Sequence, residues 1–577
     1  MNSQNQLPKE DLLAQIKELN KEIQKLKARK KYGLVWEDKP EEFDEKTKDA
    51  LPILKEKESE AFQEIKTDRN KPMNILIEGD NYHSLSVLNY THKESIDVIY
   101  IDPPYNTGNK SWKYNNDYVE KDDRFKHSKF ISFINRRLHL ARNLLKKSGI
   151  LIFAIDDYEI HSMRLLLDEI MGQENRIGTV VVQHNPRGRS DDKFFATSHE
   201  YLLFYAKDSS QASVDLLALS DEQEAAFRLE DEVSKYRLLP FRRSGSNSRR
   251  IDRPKLFYPL YFNPQTKESS LEKISGSIEL FPIDTSGTER CWRWGKESLA
   301  KAMKSELVIT ENKGKYIVKL KDRIKTGRKA KTVWVDPKYD ASSHGTILIE
   351  KILQKNKSFD YPKSLYAVID SLQITAGSNK SAVILDFFAG SGTTGHATLA
   401  LNNEDDGNRQ FILCTNNENN ICEDVTFERV KRVMEGYKNQ KGEGIEGLGG
   451  NLKYLQTDFL QKQQSERSIT DEDKLNLTHK VGCILALKEN TFEEIKKNDF
   501  YQIYESKDQV TGIYFRENTE RLDELVDMLS ARKERKVKLY IFSWDKGEYK
   551  NSFPEHKNIV CEDIPEPILE VYKNIGL

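Results

Sequence analysis

Asp102-Pro103-Pro104-Tyr105 follows a near-continuous apolar run, Ile96–Ile101, of buried-strand length. Open α/β sheets bind ligands in the crevice outside the carboxyl ends of their strands, so an aspartate there is placed to accept hydrogen bonds rather than to fill a core. The two prolines lack N–H groups and fix the backbone, so carbonyls that cannot join a ladder point into the crevice. Tyr105 adds a flat ring over the same spot. A carboxylate, a rigid carbonyl and an aromatic platform suit a planar exocyclic NH2 group, with stacking worth roughly 1–3 kcal/mol. The plainer alternative is a proline-terminated strand whose Asp102 caps the next turn.

The second chemical segment runs Asp386-Phe387-Phe388-Ala389-Gly390-Ser391-Gly392-Thr393-Thr394, between strand AVILD and a helix. Glycines at such a turn let the backbone approach a cofactor closely at the helix N-terminus. The segment is neither a GxxxxGK[ST] phosphate loop nor a full GxGxxG fingerprint. Alone, its GxG reads equally well as a structural turn. Beside the Asp102 tetrapeptide it reads as the second half of one site.

Alternating strands and helices place both motifs. NILIEGD (74–80), IDVIYID (96–102), ILIFAIDD (150–157), TVVVQ (179–183) and HEYLLFYAKD (199–208) read as strands, with helices at 127–147 and after residue 160. Gly149 is read as the helix stop. The pattern breaks at about 225 and resumes at 346 with helices, AVILD, FILCTNN and helix TFERVKRVMEGY. The expected fold is therefore α/β: a doubly wound, mostly parallel Rossmann-like sheet written in two segments. The divisions are an N-terminal amphipathic helix (1–35), a first sheet segment (36–225), an insertion (226–345), a second sheet segment (346–440) and a small C-terminal α/β domain (441–577). Within the last, VGCILALKE is read as a strand; a short helix is read around 50–65. Leu12, Ile16, Leu19, Ile23 and Leu26 keep a heptad spacing that fits either a helix lying on its own domain or a dimer contact.

Charge is uneven. The chain of 577 residues carries 91 Lys+Arg against 92 Asp+Glu, yet residues 225–340 hold 26 against 15. Arg242, Arg243, Arg249, Arg250, Arg253 and Lys255 form one cluster; Lys321, Arg323, Lys325, Arg328, Lys329 and Lys331 form another. With Tyr258, Tyr261, Trp292 and Trp294 between them, they read as a nucleic-acid surface or as a solvated basic face. Five scattered cysteines without a CxxC pair argue against a disulfide framework and a Cys-based zinc site. There is no apolar run near the ~20 residues of a membrane span, and the first residues lack a secretory pattern; a cytoplasmic protein without a metal is expected.

Together the two motifs resemble the amino-group DNA methyltransferases, in the order of the beta class: DPPY first, a basic insertion, then the glycine loop. KKYGLVWEDKPEE (30–42), LIEGDNYHSL (76–85), VIYIDPPYNTGNK (98–110), GSNSRRIDRPKLFYP (245–259), FDYPKS (359–364) and EDIPEPILEVYKNI (562–575) resemble, more narrowly, the modification (Mod) subunits of type III restriction–modification systems. The resemblance implies that Asp102, Pro103, Pro104 and Tyr105 hold a flipped base. It implies S-adenosylmethionine as cofactor. Asp386, Phe388, Gly390, Gly392 and Thr393 would line its methionine end, and Asp80 would lie near its adenine. Lys363 and Ser364 would reach its carboxylate, and Glu418 its ribose. The insertion becomes a target recognition domain, and the expected partners are double-stranded DNA, a second copy and an ATP-dependent restriction subunit that docks on 441–577. Asp-Pro-Pro-Tyr favours adenine N6 over cytosine N4. A recognition or scaffold subunit without turnover is the other alternative.

Overall fold

The computed structural model describes residues 36, 50–105, 126–461, 471–515 and 519–574, apart from isolated positions within these ranges. The heptad segment lies outside the described residues. The chain forms two compact units, one from residues 216–330 and one from the remainder.

The larger unit is built on β1 (Ala50–Glu56), β2 (Met73–Glu78), β3 (Ile96–Ile101), β4 (Leu145–Ile155), β5 (Arg176–Val182), β6 (Glu200–Ala206), β7 (Val333–Trp334), β8 (Val383–Asp386), β9 (Gln410–Thr415) and β10 (Asn451–Gln461). Their order across the sheet is β1-β10-β2-β9-β8-β3-β4-β6-β5-β7. From β10 to β4 every neighbouring pair is parallel, and β6 reverses direction. β2, β3 and β8 are apolar because helices cover both faces of a parallel sheet. The flanking helices that position the site are α1 (Asn81–Thr91), α2 (Lys126–Leu144), α3 (Leu365–Ala376), α4 (Thr393–Asp405) and α5 (Glu428–Glu435). On α2, Phe130, Ile134, Leu138 and Ala141 are buried at the expected helical spacing. α2 ends at Leu144 and passes directly into β4, so Gly149 lies inside a strand and does not stop the helix.

Three further expectations need correction. Ala50–Glu56 is a strand, not part of a helix, because it pairs antiparallel with β10 along its whole length. β10 itself belongs to the large sheet, which moves the C-terminal domain boundary from 440/441 to beyond Gln461. Gly482–Glu489 is a helix; its consecutive buried Ile484, Leu485, Ala486 and Leu487 mimic a core strand in sequence but sit between two packed layers. The C-terminal five-stranded sheet, Glu493–Lys497 to Ile559–Ile564, completes this region. All eleven residues of α1 are buried, and Lys488 donates to the Tyr90 hydroxyl at 3.3 Å, so the C-terminal domain covers this helix.

The unit 216–330 begins ten residues before, and ends fifteen residues before, the expected insertion, 226–345, and it is built from regular strands. A four-stranded antiparallel sheet and a three-stranded sheet enclose Phe241, Tyr258, Leu260, Trp292, Leu299, Val318 and Leu320. Tyr258 and Trp292 are thus core residues, not a nucleic-acid face: the Trp292 indole N–H donates to the Tyr258 carbonyl at 2.8 Å.

Candidate active site

β3 and β8 are neighbours, with Ile384 opposite Val98 and Leu385 opposite Ile99. That register brings both motifs to one sheet edge, Asp102 leaving β3 and Asp386 ending β8.

At this edge four polar side chains meet. Lys363 Nζ lies 3.0 Å from Asp102 Oδ1 and 2.7 Å from Glu200 Oε2. It also donates to the Tyr105 hydroxyl and stands 4.5 Å from the centre of that ring. Tyr105 donates to Glu200 at 3.2 Å, and His184 Nδ1 approaches the same carboxylate at 3.9 Å. Glu200 opens β6 and His184 follows β5, so the antiparallel strand pair delivers two residues that the motif reading missed. For Glu200 the signal was HEYLLFYAK, where an acid stands at the start of an otherwise buried strand; nothing in the sequence marks His184.

Burial pushes the Asp102 carboxyl up; Lys363 opposes the rise and Glu200 adds to it. Burial also pushes Glu200 up, but Lys363 and His184 outweigh it and hold the carboxyl below its usual range. Burial pulls Lys363 down, while Asp102 and Glu200 keep it charged and above its ordinary value. Among the described residues two carboxylates share one ammonium, a favourable setting for donated amino hydrogens.

The glycine loop is held from behind. Gly390 and Gly392 have φ of +49° and +75°. A Cβ on Gly390 would stand 3.2 Å from Phe359 Cζ, and one on Gly392 3.3 Å from Thr426 Cγ2. The Thr426 hydroxyl donates to the Gly390 carbonyl at 2.5 Å, and buried Arg429 donates to the Ser391 carbonyl at 3.1 Å and the Thr393 hydroxyl at 2.8 Å. Asp386 accepts the Phe388 N–H at 2.9 Å and the Thr394 hydroxyl at 2.5 Å. Burial nevertheless pushes its carboxyl up to about 7, with the charge of Asp102 contributing. The Phe388 ring is buried against Phe133 and Phe387.

Asp80 caps α1 by accepting the Tyr82 N–H at 2.7 Å, and pairs with Arg137 at 3.4 Å. Lys363 is committed to Asp102 and Glu200, and buried Ser364 donates to the Lys338 carbonyl at 2.8 Å. Glu418 sits in a short turn just past β9. Asn416, passed over in the sequence, has a buried Oδ1 without a hydrogen-bond donor among the described residues.

The basic residues of 216–330 divide into three groups. Arg323 pairs with Asp231 and Glu306 at 2.7 and 2.9 Å, Lys321 with Asp231 at 2.7 Å, Arg250 with Glu289 at 3.0 Å and Arg242 with Asp284 at 3.8 Å. These charges are already met inside the unit. Arg253 donates to Asn247, Arg243 is tied through its backbone to Cys291, and Arg328 bridges Leu217. Arg249, Lys325 and Lys329 are exposed. Among the described residues no cluster of His, Cys, Asp and Glu could hold a metal, and no helix is long and apolar enough to cross a membrane.

Residues 96–427 match the family described as DNA methylase, N6_N4_Mtase. The chain is 37% identical over 384 residues to the type II methyltransferase M.KpnI of Klebsiella pneumoniae, covering 64% of this chain and 89% of that protein. It is 31% identical over 447 residues to the EcoPI Mod subunit of Escherichia phage P1, covering 70% and 68%. It is 24% identical over 472 residues to the EcoP15I Mod subunit of Escherichia coli, again covering 70% and 68%. A match from the β3 motif through the glycine loop, on the sheet order found here, places this chain in the N6/N4 DNA methylase family.

Proposed function

We propose that this chain is the modification subunit of a type III restriction–modification system, methylating the exocyclic N6 of a flipped adenine in double-stranded DNA with S-adenosylmethionine as donor. The observation that carries the reading is the placement of Asp102-Pro103-Pro104-Tyr105 and the Asp386 glycine loop on adjacent strands of one edge. The Asp102 carboxylate and the Pro103 carbonyl accept the two amino hydrogens, which draws the nitrogen lone pair out of the ring. Tyr105, its hydroxyl anchored by Glu200 and Lys363, offers its ring for stacking. As the amino nitrogen is alkylated its proton becomes acidic, and Asp102, raised by burial, is the adjacent acceptor. The rest is orientation of two reactants, which supplies much of the barrier lowering in such transfers. Flipping costs a few kcal/mol, offset in part by stacking on Tyr105.

The donor set suits this cofactor. Among the described residues Asp386 is a buried carboxyl without a cation and Asn416 Oδ1 lacks a donor; an ammonium and a hydroxyl would satisfy them. When bound, S-adenosylmethionine supplies an electrophilic methyl carbon on a sulfonium. Asp386, Gly390, Gly392 and Thr393 would hold its methionine end, Asp80 its adenine, and Asn416 or Glu418 its ribose. Phe388, with its ring turned inward, would contribute backbone only.

The Mod relatives support DNA as substrate and a restriction subunit as partner. A homodimer through the N-terminal heptads, a cytoplasmic location and sequence reading by 216–330 complete the proposal. A second reading, a methyltransferase acting without a restriction partner, is favoured by the higher identity to a type II enzyme. Tritiated S-adenosylmethionine and unmethylated plasmid DNA test the chemistry: nucleoside chromatography should yield N6-methyladenine, and N4-methylcytosine or no label would overturn it. ATP-dependent cutting on adding the restriction subunit of a type III system related to the Mod relatives separates the type III reading from the second.

A further inference from the structure

The β5–β6 pair continues beyond its ladder as a hairpin, residues 183–199. Its own bonds hold it: Asn185 N–H donates to the Ser198 carbonyl and Arg189 N–H to the Thr197 carbonyl, both at 3.1 Å, and Thr197 N–H donates to Asp192 Oδ2 at 2.8 Å. β5 runs in the same direction as β3, so the hairpin leaves the sheet at the edge where Asp102 stands. Both its roots belong to the active-site cluster, His184 on one side and Glu200 on the other.

Near its tip Phe194 and Phe195 are 81% and 88% exposed, the two most exposed aromatic rings among the described residues. Leaving two phenyl groups in water gains nothing for the fold. Arg187, Arg189 and Lys193 on the same hairpin are exposed, and the Lys193 ammonium lies 5.1 Å from the Phe194 ring centre. Arg189 is close enough to Asp156, at the end of β4, to act on its charge. Rings flanked by cations beside a pocket for a flipped base match a duplex in chemistry: bases for the rings, phosphates for the cations.

We propose that Phe194 and Phe195 form an aromatic wedge that enters the duplex beside the target base and fills the gap left in the stack when that base moves to Asp102. The inference rests on the DNA-methyltransferase reading above. Extrusion leaves a gap one base thick, and a phenyl ring restores contact with both neighbouring bases. Tyr105 then holds the base at its destination while the wedge blocks its return, and the hairpin cations meet the phosphates on either side.

The test compares the full wild-type chain with the Phe194→Ala/Phe195→Ala variant on duplexes carrying the site read by sequencing plasmid DNA that the wild type has methylated. In one duplex the target adenine is paired; in the other it faces an abasic position, where part of the unpairing cost is already met. The variant should lose about ten-fold or more in kcat/KM on the paired duplex, keep most of its activity on the abasic one, and bind S-adenosylmethionine as the wild type does. With 2-aminopurine at the target position, fluorescence should rise on adding wild type and not the variant. Equal rates on the paired duplex would overturn the wedge. So would equal losses on both duplexes, which would make the rings general contacts. Unchanged methylation with loss of restriction-subunit binding would also overturn it and assign the hairpin to a protein partner. Wild-type protein that labels no DNA overturns the enzymatic reading and the wedge with it, an outcome distinct from an active wild type beside an indifferent variant.

Discussion

Glu200 and Lys363, 163 residues apart in the chain, meet at 2.7 Å beneath the Tyr105 hydroxyl. The pair determines how much of the lysine charge reaches Asp102. Because Glu200 raises the Asp102 carboxyl, Glu200→Gln should let Asp102 ionise at lower pH. The acid limb of the kcat/KM profile should move toward lower pH in that variant. A limb that stays in place would mean Glu200 serves packing only.

In the proposed mechanism Asp102 accepts from the base amino group, and Asp102→Ala removes that acceptor. Methyl transfer should fall by about two orders of magnitude or more, with DNA affinity in a gel-shift titration close to wild type. Near-normal turnover would place the chemistry elsewhere.

Asp386 is neutral below and ionised above about 7, because burial disfavours its charge. A cationic ligand binds the ionised form better, so affinity for S-adenosylmethionine should rise as pH increases through that value. Calorimetry near pH 6.5 should show proton release in buffers of different ionisation enthalpy. Asp386→Asn should bind more weakly and lose the pH dependence.

Gly390→Val meets a left-handed φ and the Phe359 ring, so it should lower both the melting temperature and cofactor affinity. The backbone strain alone costs roughly 1–2 kcal/mol. An unchanged melting curve and titration would contradict this loop geometry.

Arg323→Ala should destabilise the unit 216–330, since its guanidinium joins Asp231 to Glu306. Lys325→Ala and Lys329→Ala, exposed on the same unit, should instead each reduce the slope of log affinity against log salt by about 1. A salt titration of DNA binding distinguishes the two classes.

The two motifs and the strands that carry them were legible because each joins an apolar run to residues with unusual backbone demands, Pro103-Pro104 and Gly390/Gly392. That they form one site was legible too, but not that their strands pair directly, since β3 and β8 lie far apart in sequence and only the sheet order joins them. Glu200 and His184 escaped notice because neither sits in a motif; Glu200 gains its role by pairing with Lys363 across the fold, and His184 by approaching Glu200. Ala50–Glu56 and Gly482–Glu489 were misread for a related reason. A short apolar run has no period long enough to tell helix from strand, and its partner, β10 or the C-terminal sheet, decides.

The Thr67 hydroxyl bonds the Gly450 carbonyl across 383 residues of chain, at the point where β10 enters between β1 and β2. At synthesis rates of 5–20 residues per second, the ribosome needs roughly 20–80 s to deliver that partner. The other neighbour of β2, β9, begins only at Gln410, so for most of that time β2 offers unpaired backbone groups on both edges to any passing strand. An unfinished chain is therefore a template for association before it is an enzyme, and the yield of active protein in a cell depends on what shields those edges during translation.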